Sequence, residues 1–222
     1  MSLAPADSLP RAAIDAKLLS LLSGVAVGLG VLLSGFVIRE PAPYELYMVG
    51  LIAVWALFGL KVSRPVALLL TLFVLFNIGG LLSMSQMDRL FDTPLYLAVS
   101  FFLALTSVFF AAVTATRPEL YRLIFNTWTV AAVVTSVLGI AGYFGLFPGA
   151  EMFTKYERAA GAFQDPNVFG PYLALPGMWL LYLFLTGSPA RMLACLVPLL
   201  IVTAGVFLSF SRGAWGLFGL TT

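Results

Sequence analysis

The amino-acid sequence predicts an all-α fold, a polytopic bundle of transmembrane helices. Of the 222 residues, 61% are hydrophobic and 10% are charged, whereas a soluble domain carries about 25% charged residues. A helix needs about 20 mostly apolar residues to cross the hydrocarbon core of a bilayer. The few charged residues separate apolar stretches of about that length, which excludes a soluble globular domain and makes the lipid bilayer the first expected partner.

The apolar stretches predict seven full spans and the start of an eighth. Their expected bounds are 18–38, 44–60, 65–83, 94–115, 123–147, 167–186, 192–210 and, for the eighth, from 213 onward. We therefore expect a transmembrane domain over 18–222 after a short N-terminal segment, 1–17. The eighth stretch has ten residues, which is too short to span. This pattern suggests a fragment of a longer protein.

The distribution of Lys and Arg predicts the orientation, because cytoplasmic loops carry an excess of these residues. Counted alternately from the N-terminus, one side holds Arg11, Lys17, Lys61, Arg64, Arg117, Arg122 and Arg191, and the other holds Arg39, Arg89, Lys155, Arg158 and Arg212. Segment 1–17 is therefore expected on the cytoplasmic side, with the first span uncleaved. The longest polar connection, 148–166, then forms an outer loop.

Several classes of chemistry are disfavoured by composition. The sequence contains no histidine, which removes the commonest general base and the commonest metal ligand, and it shows no acidic cluster. We expect neither a metal site nor a cofactor. The single cysteine, Cys195, excludes an intrachain disulfide. The positive charges are dispersed between the spans, so no nucleic-acid partner is predicted.

The most informative segment is the outer loop where it enters the sixth span. Asp165 followed by Pro166 predicts a helix start, with an acceptor side chain at the cap and proline at the first helical position. Pro171 and Pro176 are expected to interrupt this helix. Arg158 allows two interpretations: a solvated or headgroup-contacting arginine, or an anion site assisted by the helix N-terminus.

A second segment, 209–216, follows the seventh span. An arginine between apolar runs is costly to leave unpaired at membrane depth, so Arg212 either reaches the interface or pairs inside the bundle. On the predicted topology Arg158 and Arg212 lie on the same membrane face, where two guanidinium groups could bind a diphosphate. Elsewhere, Asn77 in the third span predicts an interhelical hydrogen bond.

These two segments resemble the O-antigen ligase and polysaccharide polymerase superfamily. Its pattern Arg-x-x-Gly-x-Phe-x-x-Pro-Asn is matched by Arg158, Gly161, Phe163, Pro166 and Asn167, and its later Ser-Arg-Gly by Ser211, Arg212 and Gly213. The resemblance implies a multispanning glycosyltransferase of the bacterial inner membrane. The donor would be an undecaprenyl-diphosphate-linked glycan, and the acceptor on the outer face would be lipid A-core, a polysaccharide or a protein hydroxyl.

The same resemblance assigns roles to residues. Arg212 would bind the donor diphosphate, and Arg158 would orient the donor or shape its pocket. Supporting positions would be Ser211, Gly213, Gly161, Asp165 and Asn167. Members of the family carry a further outer loop with an arginine and a histidine that activate the acceptor, and this sequence has neither that loop nor a histidine. We therefore assign no catalytic residue and expect no transfer by this chain alone.

Two other functions fit the same residues. A transporter or lipid-phosphate-binding membrane protein would use the outer arginines without making a bond. A structural membrane subunit would need no ligand at all.

Overall fold

A computed structural model describes residues 11–39, 41–84 and 93–221, so most of the predicted segment 1–17 lies outside the described residues. The described elements are the α-helices α1 (Arg11–Leu33), α2 (Pro43–Leu57), α3 (Arg64–Met84), α4 (Thr93–Thr116), α5 (Leu120–Tyr143), α6 (Pro166–Thr186), α7 (Pro189–Leu208) and α8 (Arg212–Thr221), and the strands β1 (Thr154–Lys155) and β2 (Arg158–Ala159). A short 3₁₀ helix, Ala150–Phe153, precedes β1. The prediction of an all-α bundle is confirmed, with one small hairpin added in the outer loop.

Among the described residues, five helices are long and apolar enough to cross a membrane: α3, Pro94–Thr116 of α4, α5, α6 and α7. Their lipid-facing sides carry many exposed large apolar residues, which is the surface expected where lipid is the solvent. The protein is therefore a membrane-embedded helical bundle.

The first two predicted spans are longer than the helices that form there. The apolar part of α1 is Lys17–Leu33, and α2 is Pro43–Leu57, whereas hydropathy extended them to residues 38 and 60. After α1, the chain turns at Gly35, and Val37 then forms an isolated parallel bridge with Phe163. After α2, Gly59 adopts φ +92°, a left-handed conformation that ends a helix at low cost when the residue is glycine.

The fifth helix also ends earlier than predicted, at Tyr143 instead of residue 147. Gly145, with φ +60°, follows directly, and residues 144–147 belong to the outer connection although they are apolar. That connection therefore runs over 144–165, compared with the predicted 148–166.

Close approaches fix how the helices run. Gly24 of α1 lies against Leu120 of α5, and Gly35 just beyond α1 lies against Ala131, so α1 and α5 run in the same direction. Gly205 of α7 lies against Ser136 of α5. The C-terminal ends of α1, α5 and α7 thus meet at one end of the bundle, which we call the outer end after the orientation that the sequence predicts.

Three apolar clusters hold the described helices together, the smallest of them packing α3 against α4 around Val66, Val108 and Ala112; the other two lie on either side of α5. One joins α1, α2, α4 and α5 and includes Val27, Met48 and Phe109. The other joins α5, α6, α7 and α8 and includes Phe169, Leu173, Val202 and Ala214. The second cluster lies beneath the outer end and supports the loops described below.

Two sequence predictions about helix interiors are wrong. The sixth helix is helical from Pro166 to Thr186 across both Pro171 and Pro176, so neither proline breaks it; each removes the N–H donor at its own position, and the carbonyl one turn earlier lacks that partner. Asn77 does not bond to another helix within the described residues. Its Nδ2 donates to the Phe73 carbonyl of the same helix at 2.9 Å, and its Oδ1 is buried with no partner there.

Candidate functional site

The outer connection contains a two-residue hairpin. Thr154 pairs with Ala159 and Lys155 with Arg158, and the turn residues Tyr156 and Glu157 have φ +54° and +58°. Positive φ at both central residues is the feature of a type I′ turn, whose twist matches that of paired strands.

Arg158 links this hairpin to two other elements. Its Nε donates to the backbone carbonyl of Ser209, 2.7 Å away, and its Nη2 donates to Oδ1 of Asn167 at 2.8 Å. Ser209 ends α7, and Asn167 lies in the first turn of α6. One half-buried guanidinium group therefore joins the two sequence segments that the motifs come from.

Gly161 and Thr135 fix the chain between the hairpin and α6. Gly161 has φ +56°, and a Cβ atom there would lie 2.6 Å from Thr135 Oγ1 and 2.6 Å from Phe169 Cε2. The Thr135 hydroxyl accepts from the Ala162 N–H at 2.8 Å. Only glycine fits this position, so the backbone conformation and the close packing explain why the motif has a glycine here.

The helix start predicted at Asp165 is confirmed. Its carboxylate accepts from the Asn167 N–H at 2.7 Å, and Pro166 occupies the first helical position. The carboxylate therefore caps α6, and among the described residues it forms no ion pair with Arg158. Asn167 is thus held at its backbone N–H by this cap and at its side-chain Oδ1 by the guanidinium.

The break between α7 and α8 is built from two serines. Ser209 Oγ donates to the Val206 carbonyl at 2.6 Å and accepts from the Ser211 N–H at 3.2 Å. Phe210 between them adopts φ +46°. Ser211 Oγ accepts from the Ala214 N–H at 3.4 Å, so Ser211 caps α8 and Arg212 is the first residue of that helix.

Arg212 is exposed and has no hydrogen-bond or ion-pair partner within residues 11–39, 41–84 and 93–221. A Cβ atom on Gly213 would have no neighbour within 4 Å, so the space beside the first turn of α8 is open. Trp215 donates through Nε1 to the Val206 carbonyl at 3.1 Å. That bond fixes the direction in which α8 leaves α7.

Two residues of this site were not singled out from the sequence. Thr135 lies in a helix whose sequence is that of an ordinary membrane span. Its hydroxyl is the one feature that could have predicted a role, since Ser and Thr often form hydrogen bonds within membrane bundles. Ser209 takes part through its backbone carbonyl, which no side-chain pattern reveals.

The arrangement suits an anion. Two of the five N–H donors of Arg158 bond to the protein, whereas those of Arg212 have no partner within the described part of the chain. The first turn of α8 also presents unbonded backbone N–H groups. In the same described part, no group of three or more metal-binding side chains occurs. No family model, curated protein or solved structure matches this chain, so the site geometry carries the functional argument.

Proposed function

We propose that this protein binds a polyprenyl-diphosphate-linked glycan at the outer end of the bundle and serves glycan transfer or polymerisation in the manner of an O-antigen ligase. The supporting observation is the pair of hydrogen bonds that Arg158 donates to the Ser209 carbonyl and to Asn167 Oδ1. It brings both motif segments together and leaves Arg212 exposed, three residues beyond Ser209.

Arg212 is the proposed ligand of the donor diphosphate. A guanidinium matches two phosphate oxygens in a bidentate way, and the N-terminus of α8 adds backbone donors and a favourable dipole. Ser211 caps that helix, and Gly213 leaves room for the phosphate to approach.

Arg158 has a positioning role in this proposal. Because two of its donors are bound to the protein, it holds α6 and the α7–α8 break at a fixed separation and contributes positive charge. Gly161, Asp165 and Asn167 keep Arg158 and its partners in place.

Fixed cations suit this chemistry. A diphosphate leaving group gains negative charge as the glycosidic bond breaks, and guanidinium groups already in position stabilise that charge. No general base is assigned, since the sequence has no histidine. The acceptor would be a hydroxyl on lipid A-core, a polysaccharide or a protein at the outer face.

We further propose that α1 and α2 cross the membrane with the five longer helices, giving seven spans followed by α8, with the N-terminus in the cytoplasm of a bacterium. At a rise of about 1.5 Å per residue, α2 covers about 22 Å, less than the hydrocarbon core of about 30 Å. Both helices nevertheless share an apolar cluster with α4 and α5, which favours insertion beside them.

A second function, binding a lipid diphosphate without transferring its glycan, is favoured by the absence of histidine. It uses the same two arginines and differs only in the lack of a product.

Measuring glycan transfer in native membranes distinguishes a role in transfer from diphosphate binding alone. Deletion of the protein should remove a glycan from its outer-face acceptor, and Arg212→Ala should reproduce the deletion at unchanged protein level. Arg191→Ala, which removes an exposed arginine at the opposite end of α7, should retain transfer. Normal transfer by Arg212→Ala would exclude the proposed role, and an unchanged glycan profile in the deletion strain would favour binding alone.

A further inference from the structure

A groove lies at the outer end between the α1–α2 connection and the hairpin. It has a volume of about 440 Å³ and is lined by Ile38, Arg39, Met152, Thr154, Lys155, Phe163 and Gln164. Its two sides are joined where the Val37 N–H donates to the Ala162 carbonyl at 2.7 Å. The groove is therefore held open between two fixed segments.

Two cations line this groove. Arg39 and Lys155 are both exposed, and neither has a carboxylate within ion-pair distance in the part of the chain that the structure describes. Lys155 Nζ lies 5.3 Å from the centre of the Tyr156 ring, a contact that stabilises an exposed cation by only about 0.5–1 kcal/mol. Within residues 11–39, 41–84 and 93–221, no carboxylate therefore pairs with either cation of the groove.

The hairpin register adds a second observation. Lys155 and Arg158 are direct cross-strand partners, so their side chains leave the same face of the hairpin, and like charges in that relation are destabilising. Arg158 cannot turn away without losing its bonds to Ser209 and Asn167. An anion beside Lys155 would remove this repulsion.

We propose that this groove is a phosphate-binding site for an amphiphile, with Arg39 and Lys155 as the charged ligands and Thr154 and Gln164 as neutral hydrogen-bonding neighbours. The apolar side chains of Ile38 and Phe163 would contact the non-polar part of the ligand. The volume lies within the range of about 300–1,000 Å³ typical of small-molecule sites. The site is separate from Arg212 and does not depend on glycan transfer.

The phosphate can come from a membrane lipid headgroup or from a soluble anion, and the test separates the two. The protein is placed in phosphatidylcholine nanodiscs, with phosphatidylglycerol or inorganic phosphate added, and retained lipid is counted by native mass spectrometry while the thermal unfolding midpoint is followed. The test variant is Arg39→Gln with Lys155→Gln. The matched control is Lys61→Gln with Arg64→Gln, two exposed cations in the opposite connection between α2 and α3.

We expect phosphatidylglycerol to be retained by wild type and to raise its midpoint, and we expect the test variant to lose at least fivefold more affinity than the control. Stabilisation by inorganic phosphate alone, lost in the same variant, would support the site with a soluble ligand. Equal losses in test and control variants, or no response to either probe, would overturn the proposal. The single change Lys155→Gln repeats the test at lower structural risk.

Discussion

The Nε of Arg158 donates to the backbone carbonyl of Ser209 over 2.7 Å, across 51 positions in sequence. The bond connects an outer-loop hairpin to the end of a membrane helix. It places the segment that leads into Arg212, three residues beyond Ser209, at a guanidinium whose own position is fixed. The anion site we propose depends on this connection.

Replacing Arg158 should reduce stability as well as ligand binding. Arg158→Ala removes two charge-assisted hydrogen bonds and leaves the Ser209 carbonyl and Asn167 Oδ1 without that donor, so we expect unfolding to become easier by about 1–3 kcal/mol. Arg158→Lys can reach only one of the two acceptors and should recover part of the loss. Denaturant titration in mixed detergent micelles measures the change. A variant as stable as wild type would show that the bond is weak.

Gly161→Ala should be strongly destabilising. Its φ is +56°, and the added methyl would lie 2.6 Å from both Thr135 Oγ1 and Phe169 Cε2, so strain and overpacking together should cost about 2–5 kcal/mol. Gly216→Ala is the control, because a Cβ there meets no atom within 4 Å and alanine is the better helix former. Similar unfolding midpoints for the two variants would contradict the described loop conformation.

Thr135→Val should cost about 1–3 kcal/mol, because it leaves the buried Ala162 N–H without its acceptor at nearly unchanged volume. Thr135→Ser keeps the hydroxyl and should lose less. The comparison uses the same denaturant titration. Equal stability of the valine and serine variants would mean that the hydroxyl is not needed at this position.

The proposed orientation can be read by cysteine labelling. Cys195 is the single cysteine of the sequence, so Cys195→Ser gives a cysteine-free background. In it, Glu151→Cys and Ala190→Cys report on opposite ends of the bundle. A membrane-impermeant maleimide added to intact spheroplasts should label position 151 and not position 190. The reverse pattern would place the N-terminus outside.

Some of the fold could be predicted because its signals are local. The cap formed by Asp165 and Pro166 depends on two adjacent residues, and the structure has it as expected. Hydropathy located α3, α4, α6 and α7 within a few residues. It overran α1 and α5, because apolar residues such as Val37 and Phe147 continue into loops where they contact other parts of the protein.

The candidate site was only partly predictable. Its side-chain types and spacing indicated which segments matter, but the partners of Arg158 are a backbone carbonyl and an amide that appear only in three dimensions. Asn77 shows the converse error, since a polar residue in a span suggested a contact between helices and instead bonds within its own.

The most direct test of the account is equilibrium binding of undecaprenyl diphosphate to the protein in phosphatidylcholine nanodiscs. We predict that Arg212→Ala binds at least tenfold more weakly than wild type, a loss of about 1.4 kcal/mol or more, and that Arg212→Lys is nearly as weak because the contact is bidentate. Arg191→Ala should bind as wild type does. Wild-type affinity in Arg212→Ala would contradict the central claim.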